Sequence, residues 1–151
     1  MMQKKVQIIS DGSLDLSQEL TKEKDIEVVP FYVSFDSETY QKEMVEVGVR
    51  EFYQEMVDHP TVFPKTSMPS VHDYYEVFEK HAKEKMPVIC ICITRKFSGS
   101  LQSATTAKDM ILEEYPDAQI TVIDSTVNTV LQGLYVLEAC RLRDMGLEYQ
   151  Q

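Results

Sequence analysis

The sequence predicts an α/β fold, a mainly parallel sheet covered by helices. Three observations carry that prediction. Short β-branched runs alternate with amphipathic helical patterns, the sequence signature of βαβ units. Two of the runs, 88–93 and 120–123, are apolar almost throughout, as strands covered on both faces are. The polar turns collect directly after the runs. A chain of 151 residues fits one domain, because domains typically hold ~100–200 residues.

In chain order, strands are predicted over residues 6–10, 27–35, 88–94 and 119–123. The polar stretch Asp36-Ser37-Glu38-Thr39 turns the chain from the second strand into residues 40–45, which predicts a small antiparallel excursion. Ser70 and Asp73 make a capping-box start, after which Val71, Tyr74, Tyr75, Phe78 and Ala82 recur at helical spacing as far as Met86, where Pro87 stops the helix. Leu101, Ala104, Lys108, Ile111, Leu112 and Tyr115 form a second stripe closed by Pro116. Weaker helical patterns cover 16–24, 49–59 and 130–145, the last ending at Gly146 as a C′ residue. The sequence stops five residues later. A helix of this kind usually feeds a further strand, so the chain reads as a fragment of a longer protein.

Fifteen basic side chains against 25 acidic ones give a net charge of −10. With no lysine- and arginine-dense stretch, a nucleic-acid partner is excluded, since binding a polyphosphate takes a basic face. The start of the chain offers too short an apolar run for a signal peptide, and nothing approaches the ~20 apolar residues of a membrane span. A cytoplasmic, soluble protein without an integral membrane segment is therefore expected. Cys90, Cys92 and Cys140 are read as buried thiols, not disulfides or zinc ligands.

Ligands of an open parallel sheet bind outside the carboxyl ends of its strands. Four segments fall there or beside a helix start: Asp11 to Asp15, Lys65 to Ser70, Arg95 to Ser100, and Asp124 to Thr126. The turn Phe97-Ser98-Gly99-Ser100 is the most suggestive. It opens a helix, so backbone N–H groups and the hydroxyls of Ser98 and Ser100 can face a carboxylate or phosphate. Thr66 and Ser67, ahead of the capped helix, suit the same anion. A small-molecule serine hydrolase or a phosphate-handling enzyme using the Ser98 turn is the competing reading. It lacks the Gly-x-Ser-x-Gly elbow, and His59, His72 and His81 all fall away from strand ends. Asp11, Asp15 and Asp124 are read as turn and cap residues, and no metal or other cofactor is assigned.

Together, Asp-Gly-Ser-Leu-Asp-Leu (11 to 16), Val-Val-Pro-Phe-Tyr-Val (28 to 33), Lys-Thr-Ser-Met-Pro-Ser (65 to 70), Phe-Ser-Gly-Ser-Leu-Gln-Ser-Ala (97 to 104) and Val-Ile-Asp-Ser (122 to 125) stand in the order seen in the DegV family. The chain resembles the N-terminal domain of those bacterial fatty-acid-binding proteins along nearly its whole length. The resemblance implies one α/β domain over residues 1–151, from a two-domain protein whose acyl chain lies between the domains. It implies a non-enzymatic acyl carrier that presents the carboxylate of a long-chain fatty acid to a fatty acid kinase. It places carboxylate-holding hydroxyls on Thr66 and Ser98, with Ser67, Gly99 and Ser125 as secondary candidates. The sequence departs from the family pattern at Gly12, at Met68, at Ser100 and Leu101, and at Thr129 and Leu131. Lacking its other half, the fragment is expected to self-associate through the uncovered apolar wall near Thr66 and Ser98.

Overall fold

The computed structural model describes residues 6–151. Four parallel strands build the central sheet in the order β2-β1-β6-β7: β1 (Gln7–Asp11), β2 (Ile26–Val29), β6 (Val88–Cys92) and β7 (Ile120–Asp124). Alternation along the strands sorts side chains to two cores. Ile9, Val29, Val88, Cys90 and Cys92 face the helices α3 (Val71–Lys83) and α4 (Ser100–Glu114), against Tyr74, Phe78, Ala104, Ala107 and Ile111. Ile8, Ile26 and Ile91 face the other way, onto Val136 and Cys140 of α5 (Thr129–Asp144). The α/β class and its parallel sheet are as the sequence predicts.

The predicted strand over 27–35 is instead two strands in different sheets. Pro30 has no N–H to continue a ladder. The chain therefore leaves β2 at Val29 and resumes as β3 (Tyr32–Ser34) in a second, three-stranded sheet ordered β4-β3-β5. The antiparallel excursion is present, but β4 spans only Gln41–Lys42. Its third strand, β5 (Lys65–Ser67), pairs antiparallel to β3 with Thr66 opposite Val33. The all-polar triplet carries no strand pattern of its own, so the register against β3 makes it a strand.

Helix α1 (Gln18–Glu23) starts at Ser17, whose hydroxyl accepts the Leu20 amide, and α2 (Val49–Asp58) follows the 3-residue-spaced apolar pattern of its sequence. The Ser70 capping box of α3 forms as predicted: the Ser70 hydroxyl accepts the Asp73 amide at 3.1 Å while the Asp73 carboxylate accepts the Ser70 amide at 2.8 Å. Asp73 does more than cap. It also accepts the Tyr32 hydroxyl at 2.8 Å and pairs with Lys42 at 3.2 Å, which fastens the small sheet to the start of α3. Burial opposes its ionisation, yet Ser70, Tyr32 and Lys42 together hold its carboxyl below the ordinary value. Helix α3 ends at Lys83, short of the predicted Met86. Lys85 turns into the left-handed region (φ 54°), and the amides of Lys85 and Met86 close on the carbonyls of Ala82 and His81. Helix α5 ends in the same way with Gly146 at φ +90°, as its sequence predicts.

Gly133 lets α5 approach the 3-10 turn Gly12–Leu14 that follows β1. A Cβ there would lie 2.4 Å from the Leu14 carbonyl oxygen. Gly133→Ala gains ~1 kcal/mol of helix propensity. The overpacking costs ~1–3 kcal/mol, so a net loss is expected and a lower urea midpoint will report it. Cys90 and Cys92 lie on one face of β6 with sulfurs 3.8 Å apart and no exposed surface. The neighbouring Cys92 thiol and burial together push Cys90 well above its ordinary value. Both thiols are expected to resist iodoacetamide in the native protein and to react on unfolding; mass spectrometry of the alkylated protein checks this, and rapid native labelling of both would contradict the strand assignment.

Candidate functional site

From β1 the chain moves outward to β2, and from β6 it moves the opposite way to β7. The carboxyl ends of β1 and β6 therefore flank the switch point of the sheet, where a crevice forms. Asp11, the last residue of β1, closes the floor of that crevice. Its carboxylate is fully buried and accepts from the Ile93 amide beyond β6 at 2.9 Å and from the Ser100 hydroxyl of α4 at 2.8 Å. It also accepts from the Gln132 side-chain amide of α5 at 2.8 Å and from the Ser13 amide at 3.3 Å. Burial raises its affinity for a proton, and these four donors pull the other way without cancelling the effect.

Ser100 is thus turned inward, where the sequence reading had its hydroxyl facing a ligand. It is fully buried and lies 2.6 Å from the Tyr74 hydroxyl, which in turn reaches the Cys92 sulfur at 3.6 Å. Fixing Ser100 fixes the first residue of α4 against the sheet, and the turn that precedes it is aimed outward. Ser98 is half-buried in that turn, and its oxygen accepts the Ser100 amide at 3.2 Å. Its hydroxyl proton stays available. Among the described residues none accepts from the amides of Leu101 and Gln102, the ordinary condition of a helix start. Together they form a cluster of donors at the positive end of a 15-residue helix.

The segment carrying Thr66 comes to the same place. A Cβ on Gly99 would stand 2.6 Å from the Met68 sulfur, so the Met68 side chain, just after β5, packs against the Ser98 turn. Thr66 and Ser67 are exposed on β5, and no described residue bonds the Thr66 hydroxyl. Ser125 is different. It is buried, and its hydroxyl both donates to the Val127 carbonyl at 3.0 Å and accepts the Val127 amide at 3.3 Å, within the β7–α5 connection. That connection runs through Thr126 and Thr129 at φ 61° and 51°, left-handed conformations costly for β-branched residues. His81 is buried against Glu27, 2.6 Å away, while the His72–Glu76 pair is exposed. The recorded partner of Ser98 is an amide and not an imidazole.

Glu43 and Gln132 belong to this neighbourhood without a place in the sequence prediction, and Tyr74, predicted as a core residue of α3, joins it through its hydroxyl. Gln132 had a usable signal, because it shares the buried stripe of α5 with Val136 and Cys140 at four-residue spacing. Glu43 had none. It arrives through the β3–β4 pairing, accepts the Phe31 amide at 3.1 Å, and fills the space beside Gly12, where a Cβ would lie 1.9 Å from its Oε1. A separate open groove of about 520 Å³ lies between α2 and the small sheet, lined by Phe35, Glu51, Glu55 and His59 among others, and it contains none of the predicted site residues.

The profile described as "Uncharacterised protein, DegV family" matches residues 5–151. A DegV domain-containing protein of Clostridium acetobutylicum is 34% identical over 147 residues, and one of Caldanaerobacter subterraneus is 35% identical over 147. Each match covers 97% of this chain and 50% of the relative. Among solved structures, a stearic acid-binding protein of Eubacterium ventriosum is 47% identical with a TM-score of 0.93, covering 97% of this chain and 50% of that one. A DegV family protein of Thermus thermophilus, described by its fatty acid binding, is 30% identical with a TM-score of 0.79 at the same coverages. The chain thus spans about half the length of the relatives it matches, and over that half it belongs to the DegV family.

Proposed function

We propose that this chain binds a long-chain fatty acid and holds its carboxylate over the Ser98 turn. The observation that supports the reading is the packing of the Met68 side chain, two residues past Thr66, against Gly99 of the Ser98 turn. An anionic head group there meets the Ser98 and Thr66 hydroxyls and the first amides of a helix, all donors. Ser67 and Gly99 flank the same spot. Ser125, bonded within its own turn, contributes by shaping the connection to α5. Fatty acid binding by the Eubacterium ventriosum and Thermus thermophilus proteins supports the choice of ligand.

A carboxylate held at an exposed edge suits presentation to a partner, which we propose is a fatty acid kinase; the protein itself acts as a carrier and not an enzyme. Exposed apolar side chains stand after β5, on the turn and at the start of α5: Met68, Phe97, and Val130, Leu131 and Leu134. We propose that these side chains contribute to one wall for an acyl tail. The second wall belongs to a further domain such as the other half of the longer relatives, and without it copies of this chain are expected to associate.

A hydrogen bond to a charged group contributes ~1.5–3 kcal/mol. Thr66→Ala and Ser98→Ala are therefore each expected to weaken fatty acid affinity about tenfold or more, measured by titration with a fluorescent fatty acid. Unchanged affinity in both variants would remove the assignment. Native mass spectrometry of the purified protein is expected to show a co-purified mass of acyl length; turnover of a chromogenic ester that is lost in Ser98→Ala would favour the hydrolase instead.

A further inference from the structure

Asp11 is a fully buried carboxylate that pairs with no cationic side chain among the described residues. The titratable groups facing it are all anionic or neutral. Asp15 lies on its own turn and Glu43 arrives from beside β4, where burial first, and then the charges of Asp11 and Asp15, raise the Glu43 carboxyl above its ordinary value. Tyr74 comes from α3, while Cys90 and Cys92 come from β6. Its contacts from α4 and α5, Ser100 and Gln132, carry no charge.

Gln132 is also fully buried, and only half of its amide is used. Its nitrogen donates to Asp11 at 2.8 Å and to the Ser10 hydroxyl at 3.0 Å, whereas its Oε1 meets no donor. A half-turn of the amide would place that oxygen against Asp11, an arrangement that is favourable only when the acid carries a proton to donate. The Ser10 hydroxyl can then donate to the same oxygen. The pair can thus be joined in two ways: amide N–H to carboxylate, which leaves the amide oxygen without a donor, or carboxylic O–H to amide oxygen. The second takes one proton from solvent, breaks no covalent bond, and turns the Ser10 hydroxyl from the Asp11 carbonyl to the amide oxygen.

We propose that Asp11 and Gln132 form a proton-binding pair beneath the Ser98 turn, and that an anionic ligand seated on the turn is taken up together with one proton. The second half of this proposal rests on the carboxylate reading of the site. The start of α4 already faces the Asp11 charge through Ser100, so a ligand carboxylate on Ser98 adds a further anion above a buried acid that has no cationic partner. Protonating Asp11 removes that repulsion. Linkage is reciprocal, so whatever proton affinity the ligand adds to Asp11, acidification adds to ligand binding.

The test follows the Asp11 side-chain carboxyl carbon by ¹³C NMR against pH, in the protein alone and with saturating decanoate. The midpoint is expected above the ordinary aspartate range in the free protein, and higher still with decanoate. Decanoate affinity is expected to rise up to ~10-fold per pH unit of acidification between those two midpoints. Asp11→Asn, whose amide nitrogen can donate to the Gln132 oxygen as the protonated acid would, is expected to bind decanoate without that pH dependence. The stability sign is fixed as well. An acid that holds its proton more tightly when folded contributes stability below the unfolded value and loses it as pH rises through the folded one. Wild type should thus lose stability relative to Asp11→Asn on that rise. An ordinary midpoint in the free protein overturns the pair, and a midpoint unmoved by saturating decanoate overturns the linkage. If decanoate fails to saturate at any pH, the carboxylate reading falls together with the linkage, while the free-protein titration still decides the pair.

Discussion

The Asp11 carboxylate is the constraint on which the ligand end of this fold depends. At the switch point of a parallel sheet the connections diverge, so nothing in the ladder itself holds the crevice to one shape. One carboxylate with several acceptor sites takes over that task. It joins the end of β1 to the amide that follows β6, to the first residue of α4 and to the first turn of α5. The two helices are otherwise held to the sheet mainly by apolar packing, which is tolerant of small slides. Directional bonds to a single buried group are not, and they fix how far the Ser98 turn projects.

A second polar hub has a different origin and a complementary effect. Asp73 begins as an ordinary capping residue, but its spare oxygen takes a tyrosine from β3 and a lysine from β4. The small sheet therefore cannot drift from the start of α3. Since β5 leads straight into that helix, Thr66 is carried along with it. The two sides of the proposed head-group site are thus positioned by two aspartates, neither of which needs to touch a ligand.

The sequence made the central sheet legible because buried parallel strands are continuous apolar runs and their helices carry capping and stop signals. Residues 88–94 and the Ser70 box needed no tertiary information. The second sheet was not legible in full. Its strands are two or three residues long, one of them wholly polar, and each exists only because a partner offers a register. The candidate site divides in the same way. Ser98 and Thr66 were visible because hydroxyls and glycine before a helix have a local physical meaning. The inward turn of Ser100 and the arrival of Glu43 beside Gly12 were not, since both depend on contacts more than 30 residues apart in the chain.

On the proposed reading, an amphipathic ligand explains why so much polar structure surrounds so few hydroxyls at the Ser98 turn. Burying an acyl tail yields ~0.8 kcal/mol per methylene, so affinity can come from the tail, while a handful of donors to the carboxylate sets which end points where. Orientation then matters more than strength at the head-group end. The proposed role as a carrier that hands a carboxylate to another protein requires that group to be held at a fixed height without being enclosed. A turn stiffened from below meets both demands: Ser100 anchors inward, Ser98 remains at the rim, and Phe97 beside it is three-quarters exposed at 75%. Additional donors from the rim would bind the head more tightly, but they would also cover the oxygen that a partner has to reach.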